Sequence, residues 1–177
     1  HFALTLRGIE RNKKVFVEKP PVERVADLAR LLLMFQRIRI VAINYIEMAH
    51  PVVMAAKDNM QFKPEYFLNI RTKDLRGERS RGIGGGEGFG VVLEDLVHDL
   101  SEILLLRGSL RGAEVTDAEI ETWRQKGYPY NTDAQAEFKL MFPEAEAEIF
   151  GSFVEPKEVR QFVVASYTEE IAIYGNT

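Results

Sequence analysis

One lysine in this chain is placed where it could act on a substrate hydroxyl. Lys19 follows the short apolar strand predicted over Val15–Val17 and sits in the tripeptide Glu18-Lys19-Pro20. In open α/β sheets, ligands bind beside the carboxyl ends of the strands. An ammonium held there by proline-stiffened backbone could hydrogen-bond a hydroxyl and stabilise a developing alkoxide. The alternative interpretation is a surface lysine at a strand end.

A histidine in the helix predicted over Val91–Leu106 is the second candidate. Glu94 and His98 are four positions apart, so an α-helix would place both side chains on one face, within contact reach. A carboxylate beside an imidazole orients the ring and raises its basicity, which suits a general base for a hydroxyl proton. The alternative is an exposed acidic helix face with a packed histidine. Apolar residues on both sides of His98 favour the catalytic interpretation.

A glycine-rich stretch, Gly82–Gly90, precedes this helix. It does not fit the G-x-G-x-x-G spacing of a dinucleotide-binding turn, no strand runs directly into it, and it lacks the Gly-Lys-Ser/Thr of a P-loop. We interpret it as a lid or substrate loop, or as a plain surface loop. The arginines that flank it are Arg71, Arg76, Arg79 and Arg81. They would suit an anionic substrate such as a nucleotide-sugar diphosphate, or simply solubility.

The other histidines do not indicate a metal site. His50 precedes Pro51, where a short helix is expected to begin, so we expect it to cap that helix or to face solvent. It is distant in sequence from His98, and carboxylate ligand patterns do not surround both, so we expect no bound metal. The chain has no cysteine, which excludes disulfides and thiolate ligands and fits a reducing cytoplasm.

Size and composition are those of a globular domain. The chain has 177 residues, 46% hydrophobic and 28% charged, enough for one substantial core. The net charge of −4 gives no basic surface for nucleic acid, and no apolar run reaches membrane-spanning length. Phe2–Glu10 is typical of a helix inside a domain, so we expect a fragment of a longer protein.

The first part of the chain predicts a strand–helix–strand unit. The expected elements are a helix over 2–12, a buried strand over 14–17, an amphipathic helix over 22–36 and a strand over 38–46. Two strands joined in this way pair in parallel with a right-handed crossover. A short helix after Pro51 and a strand over Tyr66–Ile70 should follow, and residues 71–90 should form a loop.

The pattern changes after Gly108, which should end the long helix. Short strands are expected over 134–142, 146–154, 159–165 and 170–174, and consecutive strands with such short connections should pair antiparallel. The predicted fold class is α/β followed by α+β. Residues 1–20 would be the last helix and strand of a Rossmann-type domain, and residues 21–177 an α+β domain with a mostly antiparallel open sheet. The boundary would lie near Pro20-Pro21.

Three motifs, in this order, resemble those of the Gfo/Idh/MocA family (glucose-fructose oxidoreductase / inositol dehydrogenase) of nicotinamide-dependent sugar dehydrogenases. Glu18-Lys19-Pro20 matches the family's signature without change, residues 43–51 resemble its tyrosine-containing turn, and residues 90–100 resemble its helix bearing Asp-x-x-x-His. The resemblance covers nearly the whole chain. It implies hydride transfer between NAD or NADP and a hydroxyl of a sugar, nucleotide sugar or cyclitol.

The resemblance also implies residue roles. Lys19 would contact the nicotinamide and the substrate hydroxyl, and His98 would be the acid/base with Glu94 beside it. The implied cofactor contacts are Glu18, Lys19 and Pro20, and the implied substrate contacts are Tyr45, Arg81 and Asp99. The family further implies a homo-oligomer, dimer or tetramer, built through the carboxy-terminal sheet. The strand residues expected to need covering are Phe138, Phe150, Phe153, Phe162 and Val163.

Three departures from the family pattern leave a second function open. Glu94 stands where the family usually has aspartate, and Met48 where many members have arginine. The glycine-rich first turn and the βαβ units expected before Glu-Lys-Pro are missing, so this chain by itself should not bind NAD or NADP. A non-catalytic ligand-binding or regulatory module on the same scaffold is therefore the alternative.

Overall fold

The computed structural model describes residues 2–22, 24–35, 41–74, 90–123 and 132–175, and the chain folds as two compact units. The first unit is His1–Ile46 and the second is Glu47–Thr177. The division falls later than Pro20-Pro21, because the strand beginning at Val41 pairs with the strand that precedes these prolines. The assignment of residues 1–20 to a Rossmann-type domain and of 21–177 to a substrate domain stays a proposal.

The first unit is the predicted strand–helix–strand unit. Its elements are α1 (Phe2–Glu10), β1 (Val15–Glu18), α2 (Val25–Phe35) and β2 (Val41–Asn44). The two strands pair in parallel, from Val15 opposite Val41 to Glu18 opposite Asn44. The parallel pairing predicted from the sequence is therefore confirmed, and both strands end at the same edge.

The second unit is a six-stranded sheet with its helices. In chain order its elements are a 3-10 segment (Ile46–Ala49), which begins at the boundary, α3 (Pro51–Asn59), β3 (Tyr66–Asp74), a π-helical segment (Val92–Leu96), α4 (Val97–Arg107), β4 (Glu114–Trp123), β5 (Thr132–Phe142), β6 (Ala145–Ser152), β7 (Val154–Ala165) and β8 (Glu170–Gly175). The strand order is β4-β5-β6-β3-β7-β8. All neighbours pair antiparallel except β3 and β6, so the predicted mostly antiparallel sheet is confirmed.

The position of β3 corrects one predicted pairing. We expected the strands predicted over 146–154 and 159–165, which correspond to β6 and β7, to pair antiparallel because their connection is short. Instead β3 lies between them, parallel to β6 and antiparallel to β7. Its residue Phe67 is fully buried and belongs to the core, so a central place in the sheet is where this strand removes the most apolar surface from water.

Two stretches of strand were not predicted. β4 (Glu114–Trp123) was missed because its side chains alternate acidic and apolar with few large apolar groups, and residues 114–122 are exposed. β3 continues through Arg71–Asp74, which we had assigned to a charged loop. Two of its charged side chains, Arg71 and Lys73, pair with carboxylates of α4 and the π-helical segment, which removes the reason for treating them as surface residues.

The core of the second unit lies between the sheet and its helices. Alternate strand residues such as Ala147, Ile149 and Val164 pack with Val53 of α3 and Ile103 of α4. The five residues expected to need covering separate accordingly: Phe153 and Phe162 are fully buried in this core and Phe138 packs against it. Phe150 alternates with Ile149, and Val163 with Val164, so these two lie on the opposite face of the sheet. Among the described residues, no helix is long and apolar enough to cross a bilayer.

Candidate active site

The Glu-Lys-Pro tripeptide lies where β1 ends. Glu18 is the last residue of β1 and faces Asn44, the last residue of β2, whose amide donates a hydrogen bond to the Glu18 carboxylate at 2.7 Å. Lys19 is half-buried and Pro20 is buried, with a cis peptide bond between them. The three predicted cofactor contacts therefore stand at the carboxyl edge of a parallel strand pair, where such sheets bind ligands.

Tyr45 follows directly after β2. It is half-buried, and burial raises the pKa of its hydroxyl above the ordinary value. The hydroxyl is therefore protonated at neutral pH and can donate a hydrogen bond. Its predicted contact with a substrate remains a proposal.

In the second unit, His98 stands at the beginning of α4. The helix is preceded by the π-helical segment Val92–Leu96, and single π turns are frequent at functional sites. Glu94 belongs to that segment. The four-residue spacing argument assumed a regular α-helix from Glu94 to His98, and the wider π turn breaks that regularity. The pairing of Glu94 with His98 therefore stays a prediction, while His98 itself is buried at 6% exposure.

Close contacts with the sheet hold the start of this helix in place. The Asp133 carboxylate of β5 accepts a hydrogen bond from the Val92 backbone N–H at 2.7 Å. A Cβ on Gly90 would lie 1.8 Å from an oxygen of that carboxylate, so only glycine fits there without displacing it. A Cβ on Gly151 of β6 would lie 2.5 Å from Leu96, so a glycine also permits the π-helical segment to approach the sheet.

A ladder of polar pairs joins β3 to the same helix. Lys73 pairs with Asp95 at 3.0 Å and Arg71 pairs with Asp99 at 2.8 Å. The Asn69 amide donates to Asp99 at 3.4 Å and to Glu102 at 3.3 Å. The spacings match, because two strand residues span about 6.6 Å and four helical residues about 6 Å. These pairs therefore fix the position of α4 along the direction of β3.

Arg71 and Arg160 extend this ladder to the 3-10 segment. Arg71 Nη1 lies 3.4 Å from Glu47 Oε1, and Arg160 pairs with the other oxygen of Glu47. Arg160 also lies 3.7 Å from Glu102, which is fully buried. We call Glu47, Asn69, Arg71, Asp99, Glu102 and Arg160 the buried charge network. It connects the 3-10 segment, β3, β7 and α4.

Burial dominates the protonation of Asp99. Loss of water raises its pKa to about 6, although Arg71 and Asn69 act to lower it. Asp99 Oδ2 accepts no hydrogen bond from the residues that the structure describes, which leaves one oxygen without compensation. Burial also acts to lower the pKa of Arg71, but Asp99 and Asp95 outweigh that effect and the pKa of Arg71 is raised. Arg71 therefore stays charged across the pH range in which Asp99 titrates.

The predicted site residues lie in different surroundings. Asp99, expected to contact substrate, is 1% exposed and bonded within the network, which favours a structural task. Arg71, expected to meet an anionic substrate or to serve solubility, instead holds Asp99 and Glu47. His50 accepts a hydrogen bond from the Val52 N–H and caps α3, as predicted. Arg81 and the glycine-rich loop before Gly90 lie outside the described residues.

The network itself was not predicted. Asn69 and Glu102 sit among strongly apolar neighbours, and Arg160 lies between Val159 and Gln161, so the local sequence does not show which partners these polar side chains have when buried. One signal was present in the sequence: Asp95, Asp99 and Glu102 share a helix face, and Asn69, Arg71 and Lys73 alternate along one strand face. The sequence contained no indication that these two faces would meet.

No protein-family model matches the chain, and no curated protein matches it in sequence. Solved structures match it closely in shape. UDP-N-acetylglucosamine 3-dehydrogenase GnnA from Acidithiobacillus ferrooxidans superposes with a TM-score of 0.73 at 19% identity, over 98% of this chain and 54% of that one. Levoglucosan dehydrogenase in complex with NADH and levoglucosan gives a TM-score of 0.79 at 15% identity, over 94% and 49%.

The chain has the Gfo/Idh/MocA oxidoreductase fold. D-galactose-1-dehydrogenase from Rhizobium etli shares it, with a TM-score of 0.74 at 16% identity over 97% of this chain and 55% of that one. The chain thus spans about half the length of the solved Gfo/Idh/MocA-type structures it matches. The resemblance proposed from three short motifs is confirmed at the level of the fold.

Proposed function

We propose that this chain is the substrate-binding part of a nicotinamide-dependent dehydrogenase that acts on a hydroxyl of a sugar or nucleotide sugar. The observation that carries the proposal is the position of His98, buried at the π-helical start of α4, on a scaffold shared with three dehydrogenases of sugar-type substrates. The Glu18-Lys19-Pro20 tripeptide at the end of β1 supports it independently.

Two side chains would do the chemical work. The His98 imidazole takes the proton of the substrate hydroxyl and later releases it to solvent, so the proton leaves as the carbon is oxidised. The Lys19 ammonium donates a hydrogen bond to a substrate oxygen and stabilises its developing negative charge. Tyr45 would contribute a further hydrogen-bond donor to substrate binding.

The residues present fit one end of the cofactor. Glu18, Lys19 and Pro20, at the carboxyl edge of β1 and β2, would hold the nicotinamide ring, because ligands of open α/β sheets bind at that edge. A bound nicotinamide, in NAD or NADP, supplies the acceptor for the hydride. The sequence contains no G-x-G-x-x-G turn for the pyrophosphate, so that contact would come from outside these 177 residues.

The test is an assay of the intact protein. We would add NAD⁺ or NADP⁺ with a panel of nucleotide sugars, free hexoses and cyclitols and follow the absorbance of the reduced nicotinamide. The proposal is supported if the protein turns over at least one sugar or cyclitol of the panel and if the Lys19→Met variant does not. Nucleotide binding without turnover on any member would contradict it and favour the alternative, a non-catalytic ligand-binding or regulatory module.

A further inference from the structure

We propose that Arg71 is a positioning residue for His98. It joins Asp99, the neighbour of His98 in α4, to Glu47 in the 3-10 segment, and thereby fixes the axial position and rotation of the start of α4. This inference rests on the proposed function, because it gives His98 the acid/base role. Arg71 itself would touch neither substrate nor cofactor.

The geometry of the guanidinium carries the inference. Arg71 Nε and Nη2 lie 3.2 and 2.8 Å from the same oxygen of Asp99, while Nη1 lies 3.4 Å from Glu47. The guanidinium is a rigid planar fork, so these contacts set the direction of each carboxylate as well as its distance. Among the described residues of the network, Arg71 joins β3 to both α4 and the 3-10 segment.

His98 needs such support because the helix around it begins irregularly. The π-helical segment ends at Leu96, and α4 starts at Val97, one residue before His98. The Asp133 bond at Val92 and the Lys73 pair at Asp95 hold the helix before His98, and Arg71 holds it immediately after. A displacement of about 1 Å at a reacting group can reduce a rate about 100-fold.

An apolar cluster would have filled the same space at less cost in desolvation. The network instead buries Glu102, Asp99 and most of Arg71, each in contact with at least one oppositely charged partner. Charged pairs differ from apolar packing in being directional, and direction is what a helix carrying an acid/base residue requires. Mutations can therefore separate the contribution of the network to stability from its contribution to the orientation of α4.

The experiment compares five variants of the intact protein, one of which is His98→Gln, the test of the proposed function itself. Arg71→Met keeps the length of the side chain and removes the fork, Arg71→Lys keeps the charge, and Glu47→Gln keeps the shape of the second partner. Lys63→Met is the matched control, because it removes a cation from an exposed pair with Glu144. For each we would measure kcat and KM separately, with the thermal midpoint and the fraction of folded protein.

We expect Arg71→Met to lower kcat about 10- to 100-fold, the effect of a small misplacement, with KM within about threefold. Arg71→Lys should recover only part of this loss, because one ammonium cannot reproduce the fork. Glu47→Gln should lower kcat by a smaller factor, and Lys63→Met should leave kcat and KM unchanged. A purely structural role would lower the folded fraction while kcat per folded molecule stayed at the wild-type value.

The outcomes separate this inference from the proposed function. If His98→Gln is inactive while folded Arg71→Met and Glu47→Gln both keep wild-type kcat, the positioning role is overturned and the function stands. If His98→Gln keeps wild-type kcat, the proposed function fails first. If Arg71→Met does not fold, Arg71→Lys and Glu47→Gln become the test. A lowered kcat at a wild-type thermal midpoint supports the positioning role. A wild-type kcat in both variants overturns it.

Discussion

Arg71 donates two hydrogen bonds to one oxygen of Asp99, at 3.2 and 2.8 Å, and yet the pKa of Asp99 is raised to about 6. An arginine beside a carboxylate ordinarily lowers its pKa. Here the loss of water around a side chain with 2% exposure outweighs the attraction. Burial therefore makes the ionised form of Asp99 unfavourable, and this cost disappears when the carboxylate is protonated at lower pH.

The first prediction concerns pH and stability. The pKa of Asp99 is about 6 in the folded protein against 3.8 ordinarily, so between these values the folded state binds more protons than the unfolded state. Stability from this group is therefore highest below about pH 4, falls as pH rises to about 6, and is constant above that. The full change is at most about 3 kcal/mol. Urea unfolding at several pH values would measure it.

The control for this prediction is Asp99→Asn, which cannot titrate. Carboxylates distant from the network contribute equally to both proteins, so the difference in unfolding free energy between wild type and variant reports the titration of Asp99 and its immediate neighbours. As pH rises from 4 to 6, wild type should lose stability relative to the variant. A difference that does not change with pH would show that Asp99 titrates at its ordinary value.

The second prediction concerns the stability of the network. Arg71→Met leaves the buried Asp99 carboxylate without its cation, and removal of one partner from a buried pair costs about 3–5 kcal/mol. We expect a loss of that size in urea unfolding at pH 7. Lys63→Met, in an exposed pair, should change stability by no more than about 0.5 kcal/mol. A loss below about 1 kcal/mol for Arg71→Met would indicate that solvent reaches the network.

Three features of the fold were predicted correctly from the sequence. The parallel pair β1 and β2, the end of α4 at Gly108 and the cap at His50 follow from local rules, and all three are present. Gly108 has φ 84°, and its N–H bonds to the Leu104 carbonyl, the αL helix end that glycine favours. The helix end and the cap depend on residues close together in sequence, and β1 and β2 are consecutive strands joined by a single helix, α2.

The insertion of β3 and the buried charge network depend on residues far apart in sequence. A strand's alternation shows that it pairs and which face is apolar, but not which strand it pairs with. Arg71 and Asp99 are 28 positions apart, and each alone is an ordinary charged residue. Arg-Thr-Lys-Asp is a strand rather than the predicted loop because it pairs with β6 and β7 and because Arg71 and Lys73 pair with carboxylates that lie beyond it in sequence.

The third prediction tests the close contact that starts the helix. Gly90→Ala places a methyl group 2.0 Å from the Asp133 carboxyl carbon, so the carboxylate must move and its bond to the Val92 N–H is strained. We expect a loss of about 1–3 kcal/mol, typical of overpacking. In an Asp133→Ala background the same change should cost much less. Equal costs in both backgrounds would mean that the two residues do not interact.

The fourth prediction concerns assembly through the sheet face opposite α3 and α4. This face carries two apolar pairs, Phe150 beside Ile70 and Leu68 beside Val163, with Glu148 and Gln161 as their polar neighbours. We propose that a second copy covers it, and expect the intact protein to be at least a dimer. Phe150→Asp should yield monomers in light scattering, and Val115→Asp, on the exposed strand β4, should not. A wild-type monomer would contradict the proposal.

The central claim is that His98 moves the hydroxyl proton, and the most direct test is the turnover of His98→Gln in the intact protein. The matched control is His50→Gln, which changes the histidine that caps α3. We expect His98→Gln to lower kcat about 100- to 10,000-fold, the usual contribution of an acid/base residue, and His50→Gln to keep the wild-type kcat. A folded His98→Gln protein with wild-type kcat would show that His98 is not the acid/base residue.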